Sequence, residues 1–283
     1  MIPREVALVI DTHHHVGELA LGVTGEGGGR SDQDPAGTHR AMLARFGMAA
    51  ACVLPGMQYE RPHGIVNTRA VNDAIAAYRD ADPRHFPVAL GVVEPLHGLD
   101  LCRKEMARAA HELRLDGFVW HTRYQGVALS DRRMHALIDE ATALGLPCYL
   151  HVFSESAVEA PWMLGELAKQ HPDARLVALD GFSGATQIHY IMDLADRYEH
   201  LLFDTAVCFP LLRPLETFIA RFGSERLLFG TDSYADPVTY NTPSVLNELL
   251  ASELPQEDLD NVMWRNFERL FPQARARRTG EEG

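Results

Sequence analysis

The chain has 283 residues, 46% hydrophobic and 23% charged, which is enough length and apolar content to bury a full core as one large α/β unit. A formal net charge of -13 excludes sequence-independent nucleic-acid binding and docking on an anionic membrane, because both need clustered cations, and leaves small molecules as the expected partners. The apolar run Val6 to Ile10 is too short for a signal-peptide core or a membrane span, and Cys52, Cys102, Cys148 and Cys208 form no CxxC pair, so a reducing cytoplasm is the expected compartment.

In chain order, Val6 to Ile10 reads as the first strand and leads into DTHHH. Side chains alternate along a strand, which places Asp11, His13 and His15 on one face and His14 on the other as a packing residue. The segment Gly22 to Gly37 is rich in Gly and Asp. Its GEGGGR run completes neither GxxxxGK[ST] nor GxGxxG, so it reads as a mobile cover after strand one, not a phosphate cradle. Tyr59 to Gly64 is a second loop expected to shape the pocket.

Seven more apolar runs follow: Ala49 to Leu54, Phe86 to Val93, Leu115 to Trp120, Leu146 to Leu150, Arg175 to Leu179, Leu201 to Phe203 and Leu227 to Phe229. Continuous runs bounded by polar residues, Gly or Pro suit strands buried on both faces. Helical patterns lie between them. In Asp131 to Leu144, the residues Met134, Leu137, Ile138, Ala141 and Leu144 recur at helical spacing, with Ser130 as N-cap and Gly145 and Pro147 as the stop. The last helix, Gln256 to Phe271, lines up Leu259, Val262, Met263, Phe267, Leu270 and Phe271, and leaves 273–283 as a flexible tail. Eight strands alternating with helices imply a parallel sheet closed as a (β/α)8 barrel, one α/β domain over residues 1–272.

Seven of the eight apolar runs end at a residue able to do chemistry: Asp11 with His13 and His15, then Glu94, His121, His151, Asp180, Asp204 and Asp232. From Glu94 onward the gaps are 27, 30, 29, 24 and 28 residues, about one strand-helix unit each. In a barrel the C-terminal strand ends open onto one face, so these side chains converge there. For Glu94 and Asp204 taken singly, capping of the following helix explains the residue equally well. Two imidazoles two residues apart on a strand can reach one cation of the zinc type.

IDTHHH, the strand end YLHV, the strand end LLFGTD and the closing NVMWRNFERLF together resemble the amidohydrolase superfamily, in its amidohydrolase 2 branch. The resemblance implies a TIM barrel with one divalent metal, zinc first and manganese second, held by His13, His15, His151 and Asp232, with Asp11 behind the ligands. Two-metal members carry a bridging Lys on strand four; here GFVWHT has His121 instead, so a single ion is expected. Strand six of the family ends in a catalytic His, where this chain has Asp180. His121 is therefore nominated for that role, with Asp180 paired to it as the carboxylate that keeps it protonated. Arg123 beside Tyr124 is a candidate carboxylate clamp, a surface ion pair being the alternative, and Glu94 is a further substrate contact on the same rim. Barrels of this family often form homodimers.

The expected reaction is hydrolysis of a lactone, an amide or an activated carbon–carbon bond in a small carbonyl or carboxylate substrate. The cation lowers the pKa of a bound water to about 7, and Asp232 takes its proton and returns it to the leaving group. Two alternatives stand beside it: non-oxidative decarboxylation with the same metal, and a barrel that binds metal without catalysis.

Overall fold

A strand whose two faces are both covered needs apolar residues at every position, and this requirement organises the chain. The computed structural model describes residues 6–16, 35–56, 63–209, 213–234 and 244–281. Eight strands, β1 (Ile10–Val16), β2 (Ala50–Pro55), β3 (Val88–Gly91), β4 (Gly117–Trp120), β5 (Cys148–His151), β6 (Leu176–Leu179), β7 (Leu202–Asp204) and β8 (Leu227–Leu228), pair in sequence order. Every pairing is parallel. The segment after β8 returns to β1. Thr12 N–H donates to the Phe229 carbonyl at 2.8 Å, His15 N–H to Ser233 at 2.9 Å and Asp232 N–H to His13 at 3.0 Å, which closes the barrel.

Helices α1 (Pro35–Arg45), α2 (Ile65–Ala81), α3 (Leu99–His111), the short α4 (Thr122–Gln125) with α5 (Arg132–Ala143), α6 (Pro161–Gln170), α7 (Ala185–Arg197) and α8 (Pro214–Phe222) connect the strands, and α9 (Ser244–Ala251) follows β8. Ile10, Cys52, Leu54, Val88, Leu90, Val119, Tyr149, Val177, Leu179 and Leu228 fill the barrel interior. Their neighbours Val53, Phe118, Trp120, Leu150 and Phe203 face the helices. All four cysteines are free and buried, as small apolar residues would be. No described helix is long and apolar enough to cross a membrane.

The structure corrects four local expectations. Strand β1 begins at Ile10, so DTHHH lies within the strand and Val6 to Val9 is its lead-in. Its register slips between Asp11 and His14, a bulge that breaks simple alternation. Asp11 Oδ2 consequently meets His14 Nδ1 at 3.1 Å, on the side away from His13 and His15. The N-cap of α5 is Asp131, whose carboxylate accepts from Arg133 N–H at 2.8 Å, not Ser130. The closing helix is interrupted: α10 (Gln256–Asp260) passes through a π turn, Asn261–Arg265, into α11 (Asn266–Leu270).

The expected tail is a further helix, α12 (Gln273–Thr279). Arg277 Nη1 reaches the Asp116 carboxylate at 2.8 and 2.9 Å and the Pro87 carbonyl at 2.8 Å, and Gln273 Nε2 reaches Asp116 at 2.7 Å. Phe267, Leu270, Phe271 and Ala274 join the interior cluster, so α11 and α12 plug the end of the barrel where β3 and β4 begin. Polar anchors, invisible to an apolar pattern, fix this segment. Of the expected cover, residues 22–34 lie outside the described residues and 35–37 open α1; residues 59–62 of the second loop also lie outside them.

Candidate metal centre

At the opposite end of the barrel, the C-terminal strand ends bring three imidazoles together. One ring nitrogen of each is already committed. His13 Nδ1 faces Asp204 Oδ2 at 2.6 Å, His15 Nδ1 faces the Pro55 carbonyl at 2.8 Å and His151 Nδ1 faces the Trp120 carbonyl at 3.0 Å. A carbonyl or carboxylate only accepts, so each Nδ1 carries the hydrogen and each Nε2 presents a lone pair. The Nε2 atoms of His13 and His15 lie 3.0 Å apart, and Asp232 Oδ1 lies 3.5 and 3.4 Å from them. Donor atoms of His13, His15 and His151 all fall within 4.8 Å of one another. With both rings neutral, two lone pairs face each other at this distance, a repulsion that a second proton on His13 or a cation between them removes. Ligands about 2.1 Å from one ion stand roughly 3.0–3.5 Å apart, which is the spacing found among His13, His15 and Asp232. The three-nitrogen, one-carboxylate set thus fits one divalent cation of the zinc or manganese type.

The residues behind the donors explain the local sequence. Gly230 of FGTD admits no side chain, because a Cβ there would lie 2.9 Å from Asp204 Oδ2 and 3.0 Å from His13 Cβ. Asp232 then takes a left-handed φ of 54°, one of the few side chains that does so readily. Asp11, expected behind the ligands, holds the backbone instead of a ligand ring: Oδ1 accepts from His13 N–H at 3.1 Å and Thr231 N–H at 3.0 Å. Its Oδ2 accepts from the Thr231 hydroxyl at 2.6 Å. The carboxylate that orients an imidazole ligand is Asp204, which also accepts from Asp180 N–H at 2.8 Å through Oδ1.

Burial opposes charge on His13, but the Asp204, Asp180 and Asp232 carboxylates outweigh it and push its pKa up to about 10. Burial and then His13 hold His15 far below its ordinary value; burial and then His121 do the same to His151. Burial, reinforced by Asp204 and Asp11, raises Asp232 to about 7 against the pull of His13. Asp180 is pushed well up by burial and then by Asp232. Protons retained by His13 and Asp232 are those a divalent ion would displace.

Asp180 lies on the rim, with φ 61° and Oδ1 3.8 Å from His13 Nδ1. That oxygen is buried with no hydrogen-bond partner. The proposed pairing with His121 does not form: His121 Nδ1 meets Glu159 Oε2 at 2.8 Å. Nor does Asp180 cap a helix, since α7 begins at Gly184 without a side-chain cap. His121 stacks face to face on His151, with ring centroids 4.1 Å apart and planes 9° apart. Burial, aided by Arg123, outweighs Glu159 and keeps the His121 pKa below its ordinary value.

Arg123 lies over the rings of Tyr124 and Phe153 at 5.0 and 5.1 Å, and Tyr124 packs against His121 at 4.1 Å. On the other side His15 stacks on Tyr234 at 4.4 Å. Glu94 is buried at the end of β3, where its carbonyl receives the Cys102 thiol. Two residues that sequence patterns passed over complete the surroundings. Glu159 sits in the aperiodic connection between β5 and α6, with no strand or helix spacing to mark it. His39 in α1 meets His14 Nε2 through Nδ1 at 2.6 Å.

The family model described as amidohydrolase matches residues 10–273. A comparison with curated proteins finds no match. Among solved structures, the chain is similar to 5-carboxyvanillate decarboxylase from Sphingomonas paucimobilis, at 17% identity and TM-score 0.66 over 94% of this chain and 99% of that one. It is similar to 2,6-dihydroxybenzoate decarboxylase from Rhizobium, at 17% identity and TM-score 0.69 over 94% and 98%. A third is 5-carboxyvanillate decarboxylase from Novosphingobium aromaticivorans, complexed with manganese and 4-hydroxy-3-methoxy-5-nitrobenzoic acid, at 14% identity and TM-score 0.70 over 94% and 96%. Identities this low establish a shared fold.

Proposed function

The chain belongs to the amidohydrolase family, and on that premise we propose that it is a metal-dependent lyase that removes carbon dioxide, without redox, from a flat unsaturated or aromatic carboxylic acid. The observation that carries this reading is the wall of ring faces beside the donor set. Tyr234 stacks on His15, His121 stacks on His151 with Tyr124 packed against it, and Arg123 lies over Tyr124 with its guanidinium. Flat rings favour a flat substrate, and a guanidinium favours its carboxylate or another anionic substituent. Decarboxylases among the structural relatives, one of them holding manganese, support the same reading over hydrolysis.

Decarboxylation exchanges a carbon–carboxylate bond for a carbon–hydrogen bond, so the site must hold a flat acid and deliver one proton to carbon. A divalent ion on His13, His15, His151 and Asp232 would supply the positive charge that stabilises the electron pair left on carbon. Arg123 and the ring faces orient the acid. Asp180, whose carboxyl burial and then Asp232 push toward the protonated form, is placed to be the donor. Manganese- or zinc-loaded enzyme given carboxyl-13C-labelled aromatic acids, 2,6-dihydroxybenzoate among them, should release labelled carbon dioxide. Incorporation of 18O from labelled water into the organic product of a lactone or amide, with no carbon dioxide from any acid, would return the assignment to hydrolysis.

A further inference from the structure

Glu159 is fully buried yet carries a carboxylate, and its partners are all at the rim of the site. Oε2 accepts from His121 Nδ1 at 2.8 Å and from Arg123 N–H at 3.0 Å, and Oε1 lies 3.3 Å from Arg123 Nε. On the far side of the imidazole, Arg123 Nη2 reaches His121 Nε2 at 3.3 Å. The directions of these bonds are forced. A guanidinium can only donate, so His121 Nε2 accepts; its hydrogen is therefore on Nδ1, and a hydrogen there needs an acceptor, which Glu159 supplies. The His121 backbone is fixed as well, its N–H donating to Gln125 Oε1 at 3.1 Å. The loop bearing Glu159 is pinned through Val158, whose carbonyl accepts from Leu129 N–H at 2.6 Å and from the Thr122 hydroxyl at 3.2 Å.

We propose that Glu159 is a positioning residue that locks His121 in the Nδ1–H tautomer and, together with that ring's Nε2, holds Arg123 in place, so that the site offers one oriented guanidinium to the substrate. The oriented guanidinium recognises an anionic oxygen. The Glu159 side chain bonds to His121 and Arg123 and to none of His13, His15, His151 or Asp232. The link to catalysis rests on the decarboxylase reading; the tautomer and the anion-binding role do not.

The test has two parts that require no turnover. In 15N-labelled, metal-loaded wild-type protein, imidazole correlation spectra should show His121 with its hydrogen on Nδ1. In Glu159→Leu, which removes the acceptor, the hydrogen should move to Nε2, and benzoate, the simplest flat carboxylate, should bind about tenfold more weakly by calorimetry while metal content stays at the wild-type value. Glu159→Gln, which can satisfy one donor but not all, should recover part of that loss. Should a decarboxylated substrate be found, Glu159→Leu should raise KM more than it lowers kcat. Wild-type His121 carrying its hydrogen on Nε2 overturns the proposal without any variant. So does unchanged benzoate affinity in a folded Glu159→Leu protein. Loss of the wild-type tautomer and of benzoate binding in Glu159→Leu, with no carbon dioxide from any acid, would sustain this role while overturning the decarboxylase reading.

Discussion

His121 lies flat against the imidazole of His151, 4.1 Å between ring centroids, and turns its Nδ1 to Glu159, so the strand-four histidine is committed before any substrate arrives. Asp180 is left to face His13 and the space in front of the donor set, and this division of partners sets what each variant should do.

The double variant His13→Ala with His15→Ala should hold less than one tenth of an equivalent of divalent metal, while its far-UV circular dichroism and cooperative unfolding persist. The core is built by both faces of eight strands and does not depend on two rim side chains. Elemental analysis of the dialysed proteins checks this. Full metal content in the variant would move the site elsewhere.

Asp204→Asn removes the charge that orients His13 through a 2.6 Å contact. Affinity for zinc or manganese should fall by about 10- to 100-fold, measured by chelator competition, with the fold intact. An unchanged affinity would reduce Asp204 to a packing residue.

Asp180→Asn cannot donate a proton to carbon and should lose at least about tenfold in kcat while retaining its metal. Asp180→His restores the residue usual at that strand end in the family that the sequence resembles. If Asp180→Asn keeps full activity with an unaltered pH profile, the catalytic role is wrong. If Asp180→His is the more active of the two, the chain has kept the family's usual chemistry.

His39 offers a stability test. Burial, with His14 acting in the same direction, lowers its pKa from 6.5 to about 3 in the folded state. The unfolded chain therefore binds a proton at His39 from pH 6.5 downward and the folded chain does not, so stability is intact above pH 6.5 and is lost as pH falls toward 3. At pH 5 the loss from this residue is about 2 kcal/mol. Urea titrations between pH 7.5 and 5 should show this slope in the wild type and a shallower one in His39→Gln. Equal slopes would contradict it.

The barrel was legible because each strand is covered on both faces, which leaves one continuous apolar run per strand and a reactive residue at the end of every strand but the second. That pattern put His13, His15, His151 and Asp232 on one rim, and the resemblance to the amidohydrolase family implied them as one ligand set. Other features lay beyond any one-dimensional pattern. The bulge that turns Asp11 toward His14 is a register event, and nothing in DTHHH announces it. Asp204 was visible as a strand end, but its meeting with His13 depends on how the barrel curves back on itself. Glu159 stands in a connection without periodicity, and its importance comes from what lies above it in space. Helix α12 escaped notice because it is anchored by Arg277 and Gln273 on Asp116, not by an apolar stripe. Arg277→Ala should accordingly cost about 2 kcal/mol in urea unfolding, where a frayed tail would cost nothing measurable.

The central claim is that one divalent ion sits on His13, His15, His151 and Asp232, and anomalous diffraction from crystals loaded with manganese tests it most directly. One anomalous peak per chain is predicted, about 2.1–2.2 Å from the three Nε2 atoms and one Asp232 oxygen. Two peaks per chain, or a single peak among His13, Asp180 and Asp204, the second cluster of metal-capable groups among the described residues, would contradict the account.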